Sequence, residues 1–248
     1  MRHICFGAEV QEAEFDEQAN RWNLSLTNGT RLSTVFLITA TGQLSRPVIP
    51  QIPGQAEFKG TSFHSARWDR SLSLEGKRVA VIGTGASATQ FVPVLAGQAK
   101  HLTVFQRSPS YMIARRDRQI PQWEKSLFQA FPWTMRLKRL AIYAKFESRG
   151  LAIARVKSLM KLAIGIPFRR MLKAQVPDAG LREKLTPQYQ IGCKRILLSD
   201  DYLATYARPN VSLITNGIRR ITETGIETDD GQQHQIGRAS CRERVSSP

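Results

Sequence analysis

Apolar and polar positions follow two rhythms along this chain. Residues 21 to 27 alternate with period two, which predicts a strand, and Asn28-Gly29 behind them predicts a two-residue hairpin. Leu32 to Thr39 is almost wholly apolar and reads as a buried strand ending at Ala40-Thr41-Gly42. Pro47, Pro50 and Pro53 then mark an irregular connector. Val79 to Ile82 predicts a short β-branched strand. Ala86 to Ala96 predicts a helix that Pro93 is expected to kink or end, and Leu102 to Phe105 a second strand. A strand–turn–helix–strand unit of this kind implies a parallel sheet, so the fold class is α/β.

From Gln122 to Lys173 the spacing becomes helical, with basic residues between the apolar ones. It predicts two to four amphipathic helices, broken near Gly150 and at Gly165 and Pro167. Strand signals return at Val211 to Ile214, Ile218 to Thr222 and Gly225 to Thr228, and Asp230-Gly231 marks another hairpin. Residues 3 to 42 and 210 to 235 share an order of short strand, crossing strand and hairpin, a weak internal repeat. The first copy closes with F-L-I-T-A-T-G. The second runs into Q-I-G-R-A-S-C-R-E-R-V, where no closing strand is expected. That stretch resembles the translation of a common sequencing adapter, so residues 236 to 248 are expected to be non-native.

An apolar share of 42% suffices for a core in 248 residues. No apolar run follows the opening Met-Arg-His, so no signal peptide is expected, and no uncharged stretch approaches the ~20 residues of a membrane helix. Cys5, Cys193 and Cys241 are too few and too scattered for a disulfide framework or a metal site. They are expected to be free thiols in a reducing, cytoplasmic setting. The net charge of +16 is concentrated: Arg107 to Lys173 holds sixteen Lys/Arg against three acids, a net +13. Such a block suits nucleic acid, an acidic membrane surface or a phosphorylated cofactor. No nucleic-acid motif accompanies it, so no nucleic-acid partner is expected; contact with a membrane surface stays open.

Gly83-Thr84-Gly85-Ala86-Ser87-Ala88 has the form G-x-G-x-x-A. The first glycine permits a tight turn, the second lets the backbone approach a pyrophosphate, and the small last position lets helix and strand pack closely. The pattern is informative because it follows a strand signal and opens a helix signal. An NAD site would place Asp or Glu at the end of the second strand. Here the chain reads Phe105-Gln106-Arg107-Ser108, with no carboxylate before Asp117. Arg107 would pair with a 2′-phosphate, so NADP is expected over NAD.

Upstream, Phe58-x-Gly60-x-x-x-His64-x-x-x-Trp68-Asp69 resembles the fingerprint of Baeyer–Villiger monooxygenases, flavoenzymes that use NADPH and O2. Related flavin-containing monooxygenases usually have another aromatic at the Trp68 position. Ala40-Thr41-Gly42 and Gly192-Cys193-Lys194-Arg195 also resemble family motifs, and the resemblance runs over roughly residues 1 to 235. It implies the end of an FAD domain (1 to 45, a β-meander with the A-T-G strand) and a linker carrying the fingerprint (46 to 78). It further implies a Rossmann-like NADP-binding domain (79 to 235) with a basic helical insert at about 110 to 190. No earlier glycine motif precedes Gly42, so the chain is expected to be an internal fragment, inactive alone, whose FAD is held mainly by absent parts.

The resemblance also implies an activity: insertion of one oxygen atom from O2 into a ketone through a peroxyflavin, with NADPH reducing the FAD. Oxidation of nitrogen or sulfur in amines and thioethers, and a non-catalytic NADP-binding module, are the alternatives. Gly83, Thr84, Gly85, Ala86, Ser87 and Ala88 would cradle the pyrophosphate, while Arg107, Ser108 and Lys194 would hold the 2′-phosphate. Arg195 matches the arginine that faces the flavin and is the expected catalytic residue; a permanently charged fork there suits a developing negative charge. His64 and Trp68 are expected to couple linker movement to cofactor binding.

Overall fold

The computed structural model describes residues 4–42, 47–155, 157–236 and 239–242, with the backbone alone for 149–158 and 239–242. The chain divides into two compact units, Met1–Pro47 and Val48–Pro248.

The first unit is a three-stranded antiparallel meander of β1 (Val10–Asp16), β2 (Arg21–Leu26) and β3 (Arg31–Thr34). Phe15 and Trp22 face each other across β1 and β2, ring centroids 5.2 Å apart. Two expectations are corrected here. The Asn28-Gly29 hairpin forms, but its loop is longer than two residues: β2 ends at Leu26 and β3 begins at Arg31, and Asn28 does not take the positive φ that a type I′ turn needs at both central residues. The apolar run Leu32 to Thr39 is neither wholly a strand nor buried. Pairing stops at Thr34, and Phe36 and Ile38 are 81% and 86% exposed. Apolar content signals a strand, but burial needs a facing layer, and this meander supplies none to those residues among the described ones.

The second unit centres on five parallel strands: β4 (Thr61–His64), β5 (Arg78–Ile82), β6 (His101–Phe105), β9 (Val211–Ile214) and β13 (Ala239–Arg242), in the order β4-β13-β5-β6-β9. Between them run, in chain order, α1 (Ala86–Gln98), β7 (Met112–Ile113), α2 (Gln122–Ala130), α3 (Pro132–Arg155), α4 (Lys157–Met160), α5 (Ile166–Gln175), α6 (Ala179–Lys184), β8 (Leu197–Leu198) and α7 (Tyr202–Thr205). A second meander follows β9: β10 (Ile218–Ile221), β11 (Gly225–Thr228) and β12 (Gln233–Gln235).

Val79, Ala80 and Val81 are all fully or nearly fully buried, as a strand covered on both faces must be. The period of two assigns them to different layers. Val79, Val81, Leu102 and Val104 pack with Ala88, Val92 and Leu95 of α1 and with Phe168 and Leu172 of α5. Ala80 and Phe105 pack instead with Ile221 and Ile226 of the meander. The sheet therefore has a helical layer on one face and a β layer on the other. The connector 48–78 is part of this unit and is knitted to the meander: Ile221 N–H donates to Pro53 O at 2.8 Å, and Lys59 N–H to Glu223 O at 3.0 Å.

Three further expectations change. Pro93 lies inside α1, which continues to Gln98. Gly150 does not break α3, which runs unbroken from Pro132 to Arg155; an interior glycine costs a helix only about 1 kcal/mol. The break expected at Gly165 and Pro167 is present: the π-helical turn Lys161–Gly165 ends there, and Pro167 lies in the first turn of α5. Last, β13 forms where no strand was expected, paired to β4 on one side and β5 on the other. Ladder bonds use backbone groups that every residue but proline carries, so an open slot accepts a segment without a strand-like pattern.

Buried between α1 and the α5 layer, Tyr206 Oη donates to Tyr202 Oη at 2.6 Å. Burial, and then the neighbouring Tyr202, push the Tyr206 hydroxyl well above the ordinary tyrosine range. Above about pH 10 an unfolded tyrosine loses a proton that the folded one keeps, so stability falls as pH rises through that value. Tyr206→Phe is expected to flatten the loss of stability between about pH 10 and 11 by up to ~1.4 kcal/mol per pH unit, read by urea unfolding at stepped pH.

Candidate cofactor site

The glycine turn lies where β5 meets α1, at the carboxyl end of the parallel sheet. Gly83 takes φ 107°, a conformation open to glycine, and its N–H donates to Phe105 O at 3.0 Å. Gly85 is the N-cap of α1 and has no side chain of its own to cap the helix. Thr84 and Ala88 are buried, and Thr89 Oγ1 donates back to Gly85 O at 2.9 Å, which fixes the first turn. Ala86 and Ser87 are on the exposed side of that turn.

At the end of β6, Gln106 occupies the place of a ribose-binding acid, yet its side chain turns inward. It is 4% exposed and donates through Nε2 to Lys184 O at 2.8 Å. Arg107 is thus the first outward residue, and Ser108 follows. Thr84 Oγ1 donates to Ser108 O at 3.3 Å, and Lys194 Nζ donates to Ser108 Oγ at 2.6 Å. The three expected cofactor residues Thr84, Ser108 and Lys194 therefore meet, although 86 residues separate Ser108 from Lys194. Tyr189 holds Lys194 from the other side, with Nζ 4.9 Å from the ring centroid. Tyr189 and Tyr111, edge-to-face at 5.6 Å, were not singled out from the sequence; no local pattern marks them. The exposed guanidiniums of Arg107 and Arg195 make no hydrogen bond or ion pair among the described residues.

The linker residues grip both faces of the sheet. Phe58 packs into the meander layer, against the Ile221 and Ile226 cluster, with Gly60 two residues on. Trp68 packs on the helical side, 5.2 Å from Phe63 and 5.4 Å from Phe91 of α1. A cleft of about 380 Å³ lies between Trp68 and α1, with Ser87 at one end. His64 and Asp69 are spent on local turns. His64 Nδ1 accepts from Ala66 N–H at 3.1 Å. Asp69 Oδ1 accepts from Ser71 Oγ and N–H, which together hold its carboxyl below the ordinary aspartate range. Cys5 and Cys193 are exposed free thiols; Cys241 lies outside the described side chains. No helix of the described residues is long and apolar enough to cross a membrane.

Comparison with known proteins agrees with this architecture. A Baeyer-Villiger monooxygenase of Streptomyces coelicolor is 40% identical over 231 residues, spanning 93% of this chain and 44% of the relative. A Baeyer-Villiger monooxygenase of Pseudomonas aeruginosa is 38% identical over 228 residues, 92% of this chain and 43% of the relative. Among solved structures, an oxidized steroid monooxygenase bound to NADP superposes with a TM-score of 0.78 at 29% identity, covering 97% of this chain and 53% of that one. The chain thus spans about half the length of the proteins it matches. The description of the flavin-binding monooxygenase-like family fits residues 3–233, and the chain belongs to that family.

Proposed function

We propose that this segment is the NADP-binding part, with its linker, of an FAD- and NADPH-dependent monooxygenase of the Baeyer–Villiger type, which inserts one oxygen atom of O2 beside a ketone carbonyl. The carrying observation is the convergence of Thr84, Ser108 and Lys194 beside Arg107, with Gln106 turned away where an NAD site needs an acid. Residues 79–235 form the NADP-binding domain on this reading, 46–78 the linker and 1–45 the end of the FAD domain. The proteins of matching sequence support the chemistry by name, and the NADP-bound structure supports the nicotinamide cofactor.

The residues fit such a dinucleotide. The turn 83–88 brings a glycine-capped helix N-terminus to the carboxyl end of the sheet, where a pyrophosphate would lie. Lys194 is held between Ser108 and Tyr189 at the height of the β6 terminus, and Arg107 is free to fork onto the same phosphate. When bound, the nicotinamide and flavin supply the electrons that activate O2. The chain's own part is to bind, to orient and, through Arg195, to offer a fixed positive charge next to Lys194.

Titration of the 248-residue chain with NADPH and with NADH tests the binding half of this reading. NADPH is expected to bind at least about tenfold tighter, and Lys194→Ala to reduce that preference by about tenfold while leaving NADH affinity unchanged. Equal affinity for the two cofactors would sink the assignment.

A further inference from the structure

A cavity of about 830 Å³ lies between the π-helical turn with the start of α5 and the loop 188–191. Its size is that of a small-molecule site. Met160, Leu162, Ile166 and Ile191 give it apolar walls, and Tyr111 and Tyr189 add aromatic faces. The charged groups that line it, Lys161 and Arg169, are both cationic, and neither has an ion-pair partner among the described residues. No acid lines it among the described residues.

The backbone around this cavity is unusual in a way that serves its shape. The wall contains the π turn Lys161–Gly165, a rare irregularity that is frequent at functional sites. Two glycines let the walls close on each other. A Cβ on Gly165 would lie 3.4 Å from Ile191 Cδ1, and one on Gly192, at φ 100°, would lie 2.9 Å from Met160 Cε. Nothing in the NADP reading uses this space. Tyr189, which supports Lys194, and its edge-to-face partner Tyr111 line both the cavity and the back of the cofactor cluster.

We propose that this cavity is a second ligand site, for an amphipathic anion: an apolar body of aliphatic or aromatic carbon bearing one carboxylate. The body lies against Leu162, Ile166 and Ile191, and the carboxylate pairs with Arg169 in the bidentate manner of a guanidinium, with Lys161 beside it. A neutral lipophile would fill the same walls and leave both cations unpaired.

The test uses calorimetric titration of the 248-residue chain with dodecanoate and, as the neutral body of the same length, dodecanol. Dodecanoate is expected to bind at least about tenfold more tightly. Arg169→Gln should erase that difference, and Arg169→Lys should restore part of it. Ile166→Trp, which fills the cavity, should abolish binding of both probes; an unchanged thermal midpoint and retained NADPH binding show that the variant is folded. Arg139→Gln, on exposed α3, should change nothing. The proposal is overturned by equal affinity for the two probes, by binding that survives Ile166→Trp in the folded protein, by an Arg139→Gln loss as large as that of Arg169→Gln, or by displacement of dodecanoate by NADP⁺ in direct competition. None of these readings depends on oxygenation, so they stand or fall apart from the monooxygenase assignment.

Discussion

In the full-length protein that carries this segment, Arg195→Ala is expected to cut ketone oxygenation by about 10²–10³-fold while NADPH affinity stays within about twofold. The expectation rests on how two neighbours are held. Lys194 is anchored by Ser108 and Tyr189, which fixes the backbone on which Arg195 sits. The Arg195 guanidinium is exposed and has no protein partner among the described residues, so its charge is unspent until something negative arrives. A donor of this kind stabilises charge that grows in the transition state, and its loss falls on turnover more than on ground-state binding. Arg195→Lys keeps the charge but not the fork and should recover part of the rate. The measurement is product formation against NADPH consumption with a cyclic ketone. Unchanged oxygenation in Arg195→Ala would remove it from the chemistry. A parallel rise in the NADPH dissociation constant would make it a binding residue instead.

Gly54→Ala should destabilise the second unit by about 3 kcal/mol, a fall of roughly 6–12 °C in the thermal midpoint. Two costs add. Gly54 takes φ 74°, where an L side chain is strained by ~1 kcal/mol, and an added Cβ would sit 2.0 Å from Ile221 O. Relieving that overlap must push apart the segment in which Ile221 N–H meets Pro53 O, so a ladder-like bond is lost as well. Gly76→Ala separates the terms. Its φ is 67°, but nothing lies within 4 Å of the new Cβ, so only the ~1 kcal/mol of backbone strain remains. Equal midpoints for the two variants would show that the linker is not clamped to the meander.

The parts of this protein legible in its sequence are those governed by a few adjacent residues. The turn at Gly83 announces itself because strand, glycines and helix are contiguous, and Asp230-Gly231 forms its hairpin with Gly231 at φ 79°. Phe36 and Ile38 stay exposed despite their apolar run, because burial depends on a facing layer that the local pattern does not contain. A single glycine is a weak breaker, so Gly150 leaves α3 whole, whereas Gly165 and Pro167 together do mark where the helices are interrupted, at the end of the π turn. The Ser108–Lys194 contact crosses a helical insert, so periodicity could not find it; a recognisable motif around Lys194 did. Tyr189 and the inward turn of Gln106 are tertiary facts, set by Tyr111 and by the Lys184 carbonyl, each 78 residues away in the chain.

The position of β13 bears on how the chain is made. Strands β5, β6 and β9 can pair as soon as they leave the ribosome, but the slot between β4 and β5 is filled by residues 239–242, the last described strand to be synthesised. Until then the inner edge of β5 presents unpaired N–H and C=O groups in the middle of the nascent sheet, and β4 has no partner. Completion waits on a contact between segments far apart in the chain, which slows closure and leaves a sticky edge during translation. The slot takes backbone rather than a particular side-chain pattern, so any extended segment of matching length that reaches it can close the sheet in place of residues 239–242.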